Sequence, residues 1–248
     1  MVIDLFSICY NEEVIIPYFL KHYKQFVNNI TVYNNESTDS SVQLLENAGV
    51  NIINFSTNNQ TNEMKLVDIR NNCWKNSKAD WVIVCDIDEF VYHPNILNIL
   101  ENTKATQIYP EGYEMMSENL PTTEGQIYNE IKMGYSTDNF DTNIYPGWKN
   151  TYSKGCVFKP SEIEPNFGPG SHWCFPQGNF IPEKNSGIKL LHYKYLNREM
   201  LIKKYDLYRS RHGDFDKQNG LGNYQEWGAE EINKQFDSWL PICKNVID

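Results

Sequence analysis

Strand-like and helix-like segments take turns through the first hundred residues, and this alternation limits the chain to a small set of folds. Apolar, β-branched runs at residues 2–9, 30–33, 50–55 and 81–85 read as four strands. Between them, residues 16–26 place Phe19, Leu20, Tyr23 and Phe26 on one helical face, with Pro17 tolerated in the first turn. Asp39 or Ser40 can cap a short helix through residues 45–48, and Gly49 closes it. Residues 62–74 form a third helix with Leu66, Ile69, Cys73 and Trp74 inward. Short connections between alternating elements imply a Rossmann-like, mostly parallel sheet with helices on both faces. Such sheets bind ligands at the carboxyl ends of their strands. Asn11-Glu12, Asn34-Asn35 and Asp86-Ile87-Asp88 all fall at those ends.

The fourth strand is the most telling. Trp81-Val82-Ile83-Val84-Cys85 is apolar throughout, as expected of a strand covered on both faces, and it runs straight into Asp86-Ile87-Asp88-Glu89. Unpaired carboxylates at a buried strand end are costly, so something must neutralise them. Mg²⁺ or Mn²⁺ held by Asp86 and Asp88 is one answer, since such ions bind one or two carboxylates together with substrate phosphates. A solvated acidic turn is the other.

The second half is less regular. Residues 107–115, 156–159 and 188–193 read as strands, residues 197–209 as a helix with Asn197 at its N-cap, and residues 225–239 as a last helix. No linker or repeat divides the chain, so its 248 residues read as one unit. Residues 1–104 are the alternating strand–helix half, 105–196 the irregular half, and 197–248 the C-terminal helices. A net charge of −10 argues against broad nucleic-acid binding. No apolar run reaches eighteen residues and the N-terminus lacks a basic n-region, so neither a membrane span nor a signal peptide is expected. Six scattered cysteines without a CxxC pair are expected to be reduced thiols, which fits a cytoplasmic location.

Four segments in order carry a family resemblance. They are Cys9-Tyr10-Asn11-Glu12-Glu13, Phe19-Leu20-Lys21-His22-Tyr23, Tyr33-Asn34-Asn35-Glu36-Ser37-Thr38-Asp39, and residues 80–90 around Asp86 and Asp88. Together they resemble glycosyltransferase family 2-like proteins of the GT-A fold, near the branch related to family 92. The resemblance extends more weakly through Gly170-Ser171-His172 and Leu190-Leu191-His192-Tyr193-Lys194. It implies transfer of a sugar from a UDP- or GDP-sugar to an acceptor hydroxyl on a glycan or other molecule, with Mn²⁺ or Mg²⁺ bound by Asp86 and Asp88. It further implies a late histidine in the metal shell, His192 first and His172 second, and a nucleoside held by Asn11, Glu12 and the loop from Asn34 and Asn35 to Asp39. Many relatives carry an Asp pair where this chain has Asn34-Asn35, which leaves the base open. Arg70 lies on the core side of its helix and would reach a phosphate or the Asp86–Asp88 carboxylates; Lys65 is a weaker candidate.

An inverting reaction needs a general base. His172, in the shaped turn Gly168-Pro169-Gly170-Ser171-His172, ranks ahead of Glu114, Glu118 and Asp138, and cannot be both base and metal ligand. His22 and His93 read as structural. Tyr145, Trp148, Tyr152, Trp173 and Trp227 suit either sugar stacking or core packing. Lys203, Lys204, Arg209 and Arg211 read most simply as a solvated helix face, with diphosphate contact as the alternative. Gly220-Leu221-Gly222-Asn223-Tyr224 reads as a plain loop, since a phosphate cradle should follow a strand. Two rival functions share the acidic motif: a haloacid-dehalogenase-like phosphohydrolase with Asp86 as nucleophile, and a non-catalytic carbohydrate-binding relative.

Overall fold

The structure is a computed structural model of the chain and describes residues 1–122, 124–136 and 153–247. The expected alternation is present. It runs β1 (Ile3–Cys9), α1 (Ile16–Tyr23), β2 (Asn29–Asn34), α2 (Ser41–Asn47), β3 (Asn51–Asn54), α3 (Glu63–Asn72) and β4 (Trp81–Val84). Asn62 caps α3 by accepting the Lys65 N–H at 3.0 Å. Next come β5 (Glu89–Tyr92), α4 (Ile96–Asn102), β6 (Gln107–Ile108), β7 (Glu111–Ser117), α5 (Ile127–Glu130), β8 (Met133–Ser136), β9 (Val157–Phe158), β10 (Ile163–Glu164), β11 (Gln177–Gly178), β12 (Pro182–Glu183) and β13 (Lys189–Leu196). The chain ends in α6 (Arg198–Arg211), α7 (Asp214–Gln218), α8 (Ala229–Trp239) and β14 (Lys244–Asn245).

Two sheets meet at the acidic motif. The larger has the order β12-β6-β9-β4-β1-β2-β3. Its strands β4, β1, β2 and β3 are mutually parallel, and β9 runs antiparallel to both β4 and β6. The smaller has the order β14-β8-β7-β13-β5. The chain leaves the first sheet at Val84 and enters the second at Glu89, so Asp86 and Asp88 occupy the joint.

Side-chain alternation along the central strands explains why both faces are covered. Trp81 and Ile83 join a core with Leu5, Phe19 and Tyr23, whereas Val82 and Val84 join another with Phe6, Trp74 and Phe158. Helix α1 therefore packs on one face, and the end of α3 on the other. Each such fully buried side chain contributes about 1.5–3 kcal/mol. A third cluster, including Met116, Tyr195, Leu201, Tyr205, Phe236 and Trp239, packs the second sheet against α6 and α8.

Several elements differ from expectation. The single strand expected over 107–115 is two strands in different sheets, because Pro110 removes a ladder donor between them. The last helix starts at Ala229 and not at Gln225; the Gly228 N–H is capped by Glu231 at 2.9 Å. Strand β5 was not anticipated, because it opens on the charged Glu89. Each of the six cysteines is a free thiol. Among the described residues no helix is long and apolar enough to cross a membrane.

Candidate functional site

The three expected strand ends converge on one cleft, but their residues divide into two groups. Tyr10, Glu12, Asn35, Arg70, Asp86 and Asp88 line it. Asn11, Asn34 and Asp39 instead shape the loop beside it. Asn11, with a φ of 52°, accepts the Thr38 N–H at 2.7 Å. Asp39 accepts the N–H groups of Glu13 at 3.1 Å and Ser41 at 2.9 Å. Asn34 is buried; its amide donates to Asn54 at 2.8 Å and its oxygen accepts the Ser37 N–H at 3.2 Å. Its hydrogen-bonding groups are thus engaged inside the protein. Asn35 does face the cleft, where it accepts from Arg211 at 2.9 Å.

At the sheet joint each aspartate has its own cations. Asp86 is 3.0 Å from Arg70 and 3.9 Å from Lys154. Burial would raise its pKa, but Arg70 and Lys154 hold it below the usual carboxylate range. Lys154 is also ion-paired to Glu89, whose second oxygen accepts the Asp86 N–H at 3.0 Å. Asp88 is 3.5 Å from His192 Nε2 and 3.8 Å from Lys204. Against the same desolvation, His192 and Lys204 keep Asp88 well below the usual range. Lys204 reaches on to Glu12 at 2.6 Å. Burial disfavours its charge, yet Glu12 outweighs that and keeps it protonated. Four side chains, Arg70, Lys154, His192 and Lys204, thus lie against the two carboxylates.

His192 owes its position to β13, the strand between β5 and β7. In register it sits opposite Glu89 on one side and Glu114 on the other. Residues directly opposite share a face of the sheet, so the Glu114 carboxylate meets His192 Nδ1 at 3.0 Å and leaves Nε2 for Asp88. Glu114 is buried behind the imidazole, at the edge of the same cleft. Glu118 pairs with Arg198 and does not line the cleft. Asp138, Tyr145, Trp148 and Tyr152 lie outside the described residues.

His172 lines the same cleft from the turn after Phe167. That turn is docked on α3: Asn71 accepts the Phe167 N–H at 2.7 Å, and Glu63 accepts the Gly170 N–H at 2.6 Å. Glu63 also pairs with Arg70 at 3.2 Å, so one helix holds both Asp86 and the histidine turn. Gly170 has a φ of +61°, and a Cβ there would come within 2.5 Å of the His172 ring. His22 and His93 are structural: the first is buried on the Val91 carbonyl at 3.0 Å, and the second accepts the Asn95 N–H at 3.0 Å.

The bland reading of the basic helix fails for two of its four residues. Lys204, Tyr208 and Arg211 recur at helical spacing on α6 and turn inward. The Arg211 guanidinium lies 3.4 Å from the Tyr10 ring centroid. Tyr205 stacks on Trp227 at 6.1 Å, and both line the cleft. Lys154 had no signal in sequence, because it follows a stretch without periodicity.

The fit to a divalent metal rests on donor chemistry. Among the described residues no three His, Cys, Asp or Glu groups cluster to hold an ion alone. Asp88 and His192 supply an oxygen and an imidazole nitrogen that face each other, with Glu114 orienting the imidazole as outer-shell carboxylates orient metal-ligating histidines. Two protein ligands with the rest from phosphate and water suit Mn²⁺ or Mg²⁺. Without metal, burial alone would lower the His192 pKa, but Glu114 and Asp88 push it up to about 10. This imidazolium stabilises the fold fully below its ordinary value of 6.5, and the contribution is lost as pH rises toward about 10. In EDTA the melting temperature should fall across that window, and His192→Gln should flatten the fall; an equal decline in both proteins would refute the pairing.

The family model described as "Glycosyl transferase family 2" matches residues 5–151. None of the curated proteins matches the chain significantly. Among solved structures, S. aureus TarS 1–349 in complex with UDP is 13% identical, with 96% of this chain and 72% of that chain covered and a TM-score of 0.48. Glucosyl-3-phosphoglycerate synthase from Mycobacterium tuberculosis, in complex with Mn²⁺, UDP and phosphoglyceric acid, is 12% identical, with 90% and 80% covered and a TM-score of 0.43. Both likenesses are distant, and the weight rests on the family match.

Proposed function

This chain belongs to glycosyl transferase family 2, and from that premise we propose that it moves a sugar from a nucleoside-diphosphate sugar to an acceptor hydroxyl with inversion, using Mn²⁺ or Mg²⁺. The observation that carries this reading is the Asp88–His192 pair, braced by Glu114, at the joint of the two sheets. Asp88 and His192 would hold the metal, with Asp86 beside them. When bound, that ion supplies Lewis-acid stabilisation of charge on the departing diphosphate.

The chain's own residues do the rest. Arg70 fixes the Asp86 carboxylate, and Lys204 places a buried positive charge between Glu12 and Asp88, where an anionic diphosphate would lie. Tyr10, Glu12, Asn35 and Arg211 would bound the nucleoside, with Asn11, Asn34 and Asp39 supporting the loop from behind. His172 would accept the acceptor hydroxyl proton as the acceptor oxygen bonds to the anomeric carbon and the bond to the diphosphate breaks. Residues 1–104, 105–196 and 197–248 act as one catalytic unit, since α6 from the last segment completes the cleft of the first. Nothing favours the phosphohydrolase alternative: Asp86 is held between Arg70 and Lys154 and follows the fourth strand, not the first.

A thermal-shift screen of UDP- and GDP-sugars, with and without Mn²⁺, tests the reading. A ligand that binds only the folded chain stabilises it by about 2.7 kcal/mol at a hundred times its Kd. One donor should raise the transition clearly with metal and much less with EDTA. No shift from any nucleotide in the presence of metal would count against the proposal.

A further inference from the structure

The turn that carries His172 separates two cavities. One is the cleft described above. The other is a groove of about 740 Å³ lined in part by Tyr109, Glu111, His172, Trp173, Lys184 and Asn185. That volume lies within the roughly 300–1,000 Å³ of small-ligand sites. His172 is the one described residue that lines both. Besides His172, the sequence singles out only Trp173 among its walls, for sugar stacking or core packing, and donor binding uses none of the walls other than His172.

The groove is built on glycine. The Trp173 indole rests against Gly168, where a Cβ would come within 2.2 Å of its ring nitrogen. Its backbone is fixed as well, with the Gly168 N–H donating to the Trp173 carbonyl at 3.0 Å. The side chain is nevertheless 51% exposed, so a flat apolar surface is held rigid and open. Tyr109 is seated in the same way on Gly155, and its hydroxyl donates to Gln107 at 3.2 Å. Lys184 lies over the Tyr109 ring at 5.5 Å. Aromatic faces thus alternate with a lysine, a carboxylate and an amide.

We propose that this groove is the acceptor subsite and that it takes a neutral glycan, an assignment that rests on the transferase reading above. A pyranose ring presents an apolar C–H face and a rim of hydroxyls. The C–H face matches Trp173, and the hydroxyls match Glu111, Lys184 and Asn185, which can accept and donate. One charge of each sign favours hydroxyls over a polyanion, which would gather cations alone. Position completes the case: an acceptor seated here meets His172 from one side, while the donor cleft opens on the other.

Saturation-transfer NMR on the full chain tests the assignment, with triacetylchitotriose, cellotriose, maltotriose and the anionic trisaccharide trigalacturonate as probes. At least one neutral trisaccharide should show saturation at its ring C–H protons. Trp173→Ala should abolish that signal and Trp173→Tyr should retain it. Gly168→Ala should reduce it severalfold with Trp173 still present, because the new methyl displaces the indole. Lack of signal from all three neutral sugars, signals indifferent to these variants, or binding of trigalacturonate alone would overturn the proposal. UDP binding with Mn²⁺ in the same samples separates the two readings. Glycan binding without nucleotide binding would support the groove and overturn the transferase reading; nucleotide binding without glycan would overturn only the groove.

Discussion

Asp88→Asn should reduce sugar transfer by about 10²–10³-fold or more while the protein stays folded, on the scale seen when one preorganised charge-stabilising contact is removed. The substitution keeps the size of the side chain and deletes its charge. His192 and Lys204 would then face a neutral amide, and the oxygen–nitrogen pair proposed to hold the metal would lose its anionic member. Far-UV circular dichroism should be unchanged, since the Asp88 carbonyl still accepts the Tyr193 N–H at 2.8 Å and keeps the joint registered. Initial rates of nucleoside-diphosphate release, measured with a donor found in the thermal screen, provide the readout. A variant that transfers at the wild-type rate would remove Asp88 from the site.

The second large effect is on stability. Lys154 is 3% exposed and Glu89 is 1% exposed, and they form an ion pair beneath the acidic joint. Deleting one partner of a buried pair leaves the other charge without compensation, at a cost of about 3–5 kcal/mol. Lys154→Met should therefore lower unfolding free energy by about that amount, which for a chain of this size is roughly 10 °C in melting temperature. Adding Glu89→Gln should recover much of the loss, because the amide no longer carries charge and its oxygen can still accept the Asp86 N–H. Urea denaturation of the wild type, the single variant and the double variant measures both steps. A cost below about 1 kcal/mol for Lys154→Met would show that the pair is not the anchor of the joint.

How much of this could be read beforehand depends on whether a residue's neighbours lie close in sequence. Trp81–Val84 announces itself because four consecutive buried side chains leave few alternatives to a doubly covered strand. Arg70 was legible because a cation on the inner face of α3 must find an anion, and Asp86 is that anion. His192 was legible as a polar residue closing an apolar run. Lys154 was not, since its partners Glu89 and Asp86 are more than sixty residues away and its surroundings carry no pattern. Lys204 is hidden for a related reason: on α6 it and Arg211 face the cleft among charged residues that do not, so the run as a whole imitates a solvated surface. The Asn34 amide looked like a base reader, but a strand-end asparagine is equally able to close its own loop, and here it does. Glu114 reads as a free carboxylate until the register of β7 against β13 places it behind an imidazole.

Calorimetric titration of UDP into the wild type and Asp88→Asn, each with Mn²⁺ and with EDTA, addresses the joint directly. If Asp88 and His192 couple metal to diphosphate, Mn²⁺ should tighten UDP binding to the wild type at least tenfold, about 1.4 kcal/mol. In the variant that gain should vanish, while its weak binding in EDTA stays close to that of the wild type. Equal affinity with and without Mn²⁺ in the wild type, or an undiminished gain in the variant, would contradict the metal–diphosphate role of this site.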